Sequence, residues 1–579
     1  MRGANAPLQD VDVNIYDKDG SGLIATGKTD SKGAYTVYVE QPDTYNVKYT
    51  KDGYTSFERN GIIIDKAIST VPVYLTKTNG NIVSSGYCGD DLRWILYEDG
   101  LLEIFGTGDM WNNPGKFDSN WYSISNKIKT LSLEYGMTSI GDDAFTKCFI
   151  SGGLEIPSSV TRIGDYAFAW NNFSGNLEIP DSVTSIGKSA FEGCTFSGVL
   201  IIPATVTSIG ESAFESCSNL TDYEVDGLNP AYSSYNGILY EKDYHFLIAC
   251  PRGKMGTPGF HYNVETIGEK AFYYCSKLTG SLTIPNSVTT IDDYAFEYCS
   301  GYNGSLTLSN SLTSIGAYAF SGCSAFTGSL TIPDSVISIG NGAFSGCTGL
   351  NGNLKIGNQV TTIGDYAFSR CSSVRGGVSI PVSVISIGEY AFDNCGNLTS
   401  IEVDESNVNY ASYDGILYSK DYQNLITCPQ GKATIPEFHP NVKKIGNHAF
   451  DGCKKLIGNL AIPTTLTLIG DYAFYNCTGL TGNLIIPDGV NQIGDSAFSG
   501  CSGLSNSLTI PSSVSTIGSS AFSRCIGIDS AYFYGNAPSS FGGRVFNSTA
   551  NGFTIYYIAG KSGWTTPEWN GYPTKTFNP

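Results

Sequence analysis

One hexapeptide recurs fourteen times in this 579-residue chain, and nothing else in it restricts the fold so tightly. It reads IGDDAF at residues 140–145, IGDYAF at 163–168, IGKSAF at 186–191, and so on to IGSSAF at 517–522. The closing Phe stands at 145, 168, 191, 214, 272, 296, 320, 344, 368, 392, 450, 474, 498 and 522, so the spacing is 23, later 24, with two intervals of 58. A fixed period of this length is the signature of stacked units, each one coil of a solenoid.

The unit at residues 329–350, SLTIPDSVISIGNGAFSGCTGL, shows how a coil is built. Leu330 and Ile332 alternate with Ser329 and Thr331, the period of a strand with one buried face. Pro333 ends that strand, Val336 and Ile339 resume the buried pattern, and Gly340 turns the chain. Ala343 and Phe344 then fill the interior behind a short turn or single helical turn. One coil cannot bury its own apolar face, whereas neighbours stacked at the inter-strand spacing of about 4.8 Å share a continuous core. The two long intervals are copies of each other. Residues 225–267 and 403–445 align without gaps at an offset of 178, sharing GILY at Gly237 and Gly415 and CP at Cys250 and Cys428. Each reads as an extra coil carrying a projecting β-hairpin, near 225–266 and 403–444.

These units resemble the BspA-like leucine-rich repeats of bacterial and protist surface proteins, whose pattern is L-x-x-I-x-I-P followed by V-T-x-I-G-x-x-A-F-x-x-C. The resemblance covers residues 131–530. SGYCGDDLRWILYEDGLLEIFGTGDM, residues 85–110, looks like that family's amino-terminal cap, and YYIAGKSGWTTPEWNGYP, residues 556–573, like its carboxyl-terminal cap. It implies a leucine-rich-repeat solenoid, β-dominated with short helical turns on the opposite side, and adhesion to host or neighbouring-cell proteins. Residues 1–77 read as a separate module. Strand-like stretches at 11–16 and 34–39, the turn at 29–35 and YNVKYTKDGY at 45–54 resemble the carboxypeptidase-regulatory, transthyretin-like β-sandwich. A collagen-adhesin B-type repeat is the close alternative, but VDVNIY at 11–16 has no Lys for that family's Lys-Asn cross-link. The expected organisation is a small sandwich at 1–77, an amino-terminal cap at 78–130, the repeat array at 131–530 and a carboxyl-terminal cap at 531–579, with 77–80 as linker.

The residue types that carry chemistry fall into repeats rather than into one centre. Of sixteen cysteines, thirteen lie three positions after a repeat Phe, and only the second unit departs, with Asn171. A disulfide ladder or metal array is one reading. A column of small apolar thiols, reduced and buried, is the reading adopted, since a bridge needs paired Cα atoms within about 7 Å. There is no C-x-x-C, which speaks against a zinc site. Of the four histidines, His261 and His439 are equivalents in the two inserted blocks, His245 corresponds to Gln423, and His448 takes a Tyr or Ser position of the hexapeptide. No Ser-His-Asp or Cys-His set assembles, so no catalytic residue is assigned, the chain is not read as an enzyme, and no cofactor or metal is implied. Asp17, Asp19 and Ser21 imitate the start of a calcium loop, but Lys28 stands where the bidentate acid belongs, and a hairpin turn explains the glycines.

Two outward columns are the candidate ligand contacts. The middle residue of the L-x-I strand points away from the core, giving Glu155, Glu178, Ile201, Glu224, Thr283, Thr307, Thr331, Lys355, Ser379, Glu402, Ala461, Ile485 and Thr509. Core positions repeat while this column varies, as a scaffold with different contacts requires; Ile201, Thr283, Thr307, Thr331, Lys355 and Ile485 are singled out. A merely soluble face is the competing reading. The second column is the Tyr of IGDYAF, represented by Tyr318 and Tyr390, which either binds through ring faces and hydroxyls or packs along the coil.

Composition sets the partner class. A net charge of −19 offers no basic stripe, so nucleic acid is not an expected partner. No run of eighteen apolar residues occurs, so no membrane insertion is expected. The chain starts almost directly in a strand pattern without an apolar leader and ends at Asn578-Pro579, so export and anchor signals are expected to lie outside it. The resulting expectation is an extracellular, surface-attached binding protein for host extracellular or surface proteins, with glycans as the second ligand class. The alternative is a glycan-binding accessory region of a larger secreted enzyme.

Overall fold

The computed structural model describes residues 11–17, 21–29, 43–50, 57–64, 81–112 and 121–579. The chain divides into two compact units, one of residues 1–244 with 250–254, the other of residues 245–249 with 255–579.

In the first unit, Asp12–Tyr16 pairs antiparallel with Leu23–Lys28 on one side and Asp43–Thr50 on the other, and Phe57–Ile64 completes a four-stranded sheet. Val13 faces Tyr49 and Ile15 faces Val47 across the ladder, and all four are buried on one face. The strand expected at 34–39, residues 30–35 of the turn and the linker at 77–80 lie outside the described residues. A meander follows at Ile82–Tyr87, Asp91–Tyr97 and Leu101–Asp109. Leu101–Asp109 then pairs in parallel with Met137–Ile140, and the coils add Arg162–Ile163, Ser185–Ile186 and Ser208–Ile209 in order.

In the second unit the same ladder runs from Thr266–Ile267 to Ser386–Ile387 and again from Lys444–Ile445 to Ser540–Phe541. These parallel ladders come mostly from the Ser-Ile or Thr-Ile pair before the repeat glycine, a segment too short to show a strand period in sequence. The L-x-I segment makes a second ladder, short at Leu282–Thr283 and Leu330–Thr331 and longer at Leu480–Ile485, Leu504–Ile510 and Gly527–Phe533. The glycine is demanded by coil-to-coil approach: a Cβ on Gly164 would lie 2.4 Å from Asp142 Oδ1. That same Asp142 Oδ1 accepts the Asp165 N–H at 2.9 Å, and Asp365 and Asp471 repeat the bond to Glu389 and Asp495 one coil on. The Asp of the hexapeptide therefore satisfies a backbone donor of the next coil.

Between the ladders the Phe rings stack, Phe320 on Phe344 at 5.2 Å and Phe344 on Phe368 at 5.5 Å, all buried. Truncating one such ring costs about 3–5 kcal/mol in other cores. The side opposite the strands consists of tight turns, the short-turn form of the two expected, and not of helical turns. Among the described residues there is no α-helix, and the one helix is the 3-10 segment Tyr122–Lys127. Helix is ruled out locally by two left-handed residues in a coil, such as Asp143 (φ 56) with Lys147 (φ 55) and Tyr166 (φ 54) with Trp170 (φ 61). Alternate N–H groups on this side point to the following coil, as Tyr166 to Lys188, Phe168 to Ala190 and Trp170 to Glu192 at 2.6–2.8 Å. Such a one-way ladder leaves carbonyls open at its first coil and N–H groups open at its last. In the first unit Trp121, wholly buried, donates its indole N–H to Ala144 O at 2.8 Å and stacks on Phe145. In the second unit Tyr572 Oη accepts the Phe546 N–H at 3.1 Å. A donor-only ring at the start and a hydroxyl at the end match the polarity of the ladder.

Candidate binding surface

In the L-x-I ladder the outward residues stand in register: Thr283 opposite Thr307, Thr331 opposite Lys355, Ile201 opposite Glu224 and Ile485 opposite Thr509. All six singled out from this column are exposed, Ile201 at 57% and Ile485 at 60%. The column does not stop at Thr509. Thr509 pairs with Tyr532, Tyr532 with Tyr556 and Tyr556 with Lys575, so two tyrosines continue the line of Ile485 and Thr509. Their rings stack at 4.9 Å, and Phe577 meets Tyr532 edge-on at 5.2 Å and Tyr534 at 5.5 Å. Ala461, Ile485, Thr509 and Tyr534 line a hollow of 860 Å³ on this face. Tyr532 and Tyr556 escape the sequence reading because the hexapeptide ends at Phe522; the alternation of Ala531 and Phe533 about Tyr532 is the signal that could find them.

The tyrosine column is a set of stacks. Tyr294 lies on Tyr318 at 5.4 Å, and Tyr366 on Tyr390 at 4.9 Å, each within 11° of parallel. Tyr318 and Tyr390 thus each turn a ring face to a neighbour and are half-buried. Gly342 interrupts the column between them, and His448 joins it, stacked on Tyr472 at 4.7 Å.

A profile described as the BspA type leucine rich repeat region (6 copies) matches residues 115–230, 257–347, 327–429 and 427–552. The chain belongs to the BspA-type leucine-rich-repeat family. Among solved structures it is similar to a leucine-rich repeat protein from Eubacterium ventriosum, 21% identical, covering 85% of this chain and 100% of that one with a TM-score of 0.40. It is also similar to a leucine rich cell surface protein from Faecalibacterium prausnitzii, at 22% identity, 85% and 98% coverage and a TM-score of 0.40. The pneumococcal vaccine antigen PcpA is 14% identical, covering 86% of this chain and 99% of that one with a TM-score of 0.32. Among curated proteins there is no match.

Within this BspA-type frame the remaining candidates serve the scaffold. All sixteen cysteines are buried. Most column thiols reach back to a Phe carbonyl of the preceding coil, as Cys299 to Phe272 O at 2.9 Å and Cys323 to Phe296 O at 3.0 Å. Asn171 does the same from the one coil without Cys, donating to Phe145 O at 2.7 Å and accepting the Ile150 N–H at 2.9 Å. Burial pushes the thiols of Cys148, Cys194 and Cys525 up to about 12, which leaves these three protonated and unreactive. No group of His, Cys, Asp and Glu able to hold a metal occurs among the described residues. His261 and His439 each accept a backbone N–H at Nδ1, from Asn263 and Asn441 at 3.2 Å, so both cap a turn in equivalent places, and burial lowers both pKa values. Asp17 accepts the Ser21 N–H at 2.9 Å and so closes its own turn; Asp19 lies outside the described residues. No helix among the described residues is long and apolar enough to cross a membrane.

Proposed function

We propose that this BspA-type chain is a non-enzymatic cell-surface binding protein whose L-x-I strand face docks a protein of a host or neighbouring cell. The observation that carries the reading is the in-register strip Ile485, Thr509, Tyr532 and Tyr556 beside the hollow that Ala461 also lines. Exposed Ile485 and the half-buried rings of Tyr532 and Tyr556 stand on rigid strands and lose little entropy on binding, and Tyr is enriched where binding energy concentrates. The polar stretch Thr283, Thr307, Thr331 and Lys355 supplies hydrogen-bonding and charged contacts along the same face. Attachment outside the cell, and the sandwich and caps as separate pieces at 1–77, 78–130 and 531–579, belong to this reading. The tyrosine column is the weaker candidate, because Gly342 interrupts it, and with it the glycan-binding alternative.

The test is a screen of extracellular-matrix proteins and surface glycans, followed by variants against the ligand found. Ile485→Glu and Tyr532→Ala are expected to weaken binding at least roughly tenfold, the scale of one anchor residue. Ile201→Glu and Lys355→Glu map how far the footprint extends. Tyr318→Ala and Tyr390→Ala are expected to leave affinity unchanged. The reverse pattern refutes the strand-face reading and puts the stacked tyrosines in its place.

A further inference from the structure

A second site stands apart from the strand face, in a cleft of 490 Å³ beside the second inserted block. Three features of its lining point the same way. First, the aromatic stack breaks here. Tyr390 and His448 lie 4.9 Å apart but at 69°, whereas the rings on either side, Tyr366 on Tyr390 and His448 on Tyr472, are within 11° of parallel. Second, acceptors outnumber donors. Glu389, Asp393, Asp451 and Asp471 line the cleft against the single ammonium of Lys444. Asp451 holds His448 Nδ1 at 2.8 Å, and Gln430 Nε2 spends its protons on Asp451 O at 2.6 Å and Asp393 Oδ1 at 3.4 Å. Burial and the neighbouring Asp451 push the Asp393 carboxyl up, the response of an acid whose charge is incompletely balanced. Third, Asn424 Oδ1 is buried in the lining with no hydrogen-bond partner, an acceptor left open.

The sister block shows that these residues are not required by the fold. At the offset of 178, Phe246 stands for Asn424, Arg252 for Gln430, Lys270 for His448 and Tyr273 for Asp451. The Phe246 ring is packed so closely on Gly268 that a Cβ there would lie 2.7 Å from it, whereas at Gly446 the nearest Asn424 atom would be 3.6 Å away. The second block has therefore exchanged a filling ring for an open acceptor and two cationic side chains for neutral Gln430 and titratable His448, while gaining the acid Asp451.

We propose that this cleft binds a guanidinium group, with Asn424 Oδ1 and the Asp393 and Asp451 carboxylates accepting its N–H donors and the Tyr390–His448 break receiving its flat face. A guanidinium offers five donors in a plane and stacks on aromatic rings, which a compact ammonium does not do. The source is either a free small molecule or an arginine side chain on a partner protein.

The full chain is titrated calorimetrically with agmatine, with n-butylammonium, and with an uncharged peptide carrying one internal arginine. Agmatine is expected to bind with at least roughly tenfold preference over n-butylammonium, and Asp451→Asn and Asn424→Phe to weaken it by roughly tenfold or more. Melting temperatures of both variants close to the parent's establish that the fold survives, and Asn424→Phe only restores the residue of the sister block. Binding of the peptide as well as agmatine assigns the cleft to a partner's arginine; binding of agmatine alone assigns it to a small molecule. No binding of any guanidinium, equal binding of n-butylammonium, or binding unchanged in both variants overturns the proposal.

Discussion

Asn229 and Asn407 occupy the same place in the two inserted blocks and make the same bonds, whereas Phe246 and Asn424, also equivalent, do opposite things. Asn229 donates to Pro203 O and Val206 O and accepts the N–H groups of Ala231 and Tyr232, all at 2.7–2.9 Å. Asn407 donates to Pro381 O and Val384 O and accepts from Asn409 and Tyr410, all at 2.9–3.0 Å. Both are completely buried. The hairpins agree as well: Tyr232 Oη accepts the Ile209 N–H at 2.8 Å, and Tyr410 Oη accepts that of Ile387 at 2.9 Å. The blocks therefore keep these bonds that tie the insert to its coil and differ at residues that line the cleft.

The interior common to both blocks and to the coils predicts the largest effect. Below the ordinary thiol pKa of 9.0, Cys148, Cys194 and Cys525 are neutral folded or unfolded and stability does not depend on their titration. Above it the unfolded chain releases protons that the buried thiols keep up to about 12, so stability falls as pH rises through that window. At about 1.4 kcal/mol per pH unit for each thiol, Cys148, Cys194 and Cys525 together remove about 4 kcal/mol per unit. Denaturant midpoints at pH 8, 9, 10 and 11 are expected to be level and then to drop steeply; a level profile to pH 11 means the thiols are not buried as described. The shared bonds come next. Asn229→Ala and Asn407→Ala each orphan two buried carbonyls and two N–H groups, and each is expected to cost about 3 kcal/mol. Unequal losses in the two variants break the equivalence of the blocks. The diverged position follows: Phe246→Asn is expected to cost about 2 kcal/mol through lost ring packing, and Asn424→Phe less than about 1. Smallest is Ser216→Gly, at a left-handed residue with φ 61, expected to raise stability by about 0.5–1 kcal/mol in a denaturant melt.

The parts of this molecule legible in sequence are those that repeat. Ile339, Phe344 and Cys347 announce a buried column because each recurs at one register, and the two inserts show themselves by interrupting it. The strand pairs before the repeat glycine have no period of their own: Ser338–Ile339 is two residues long and owes its ladder to its neighbours in space. Left-handed Tyr318 and Tyr390 are equally hidden, since bulky residues seldom take that conformation and the segment reads as a helical turn. The proposed binding strip is half visible. Ile485 stands out, but Tyr532 and Tyr556 join it only through strand register beyond the last hexapeptide. The cleft at Asn424 needs both the register of the insert and the absence of a ring, neither of which a single chain spells out.

Hydrogen–deuterium exchange of the full chain, with and without a captured protein partner, tests the central claim most directly. Strand-face docking predicts that added protection concentrates in Leu480–Ile485, Leu504–Ile510, Gly527–Phe533 and Thr554–Ile558, with the turn side at residues 366–394 unchanged. Protection confined to 366–394 and 448–472, with those strands unaffected, contradicts it.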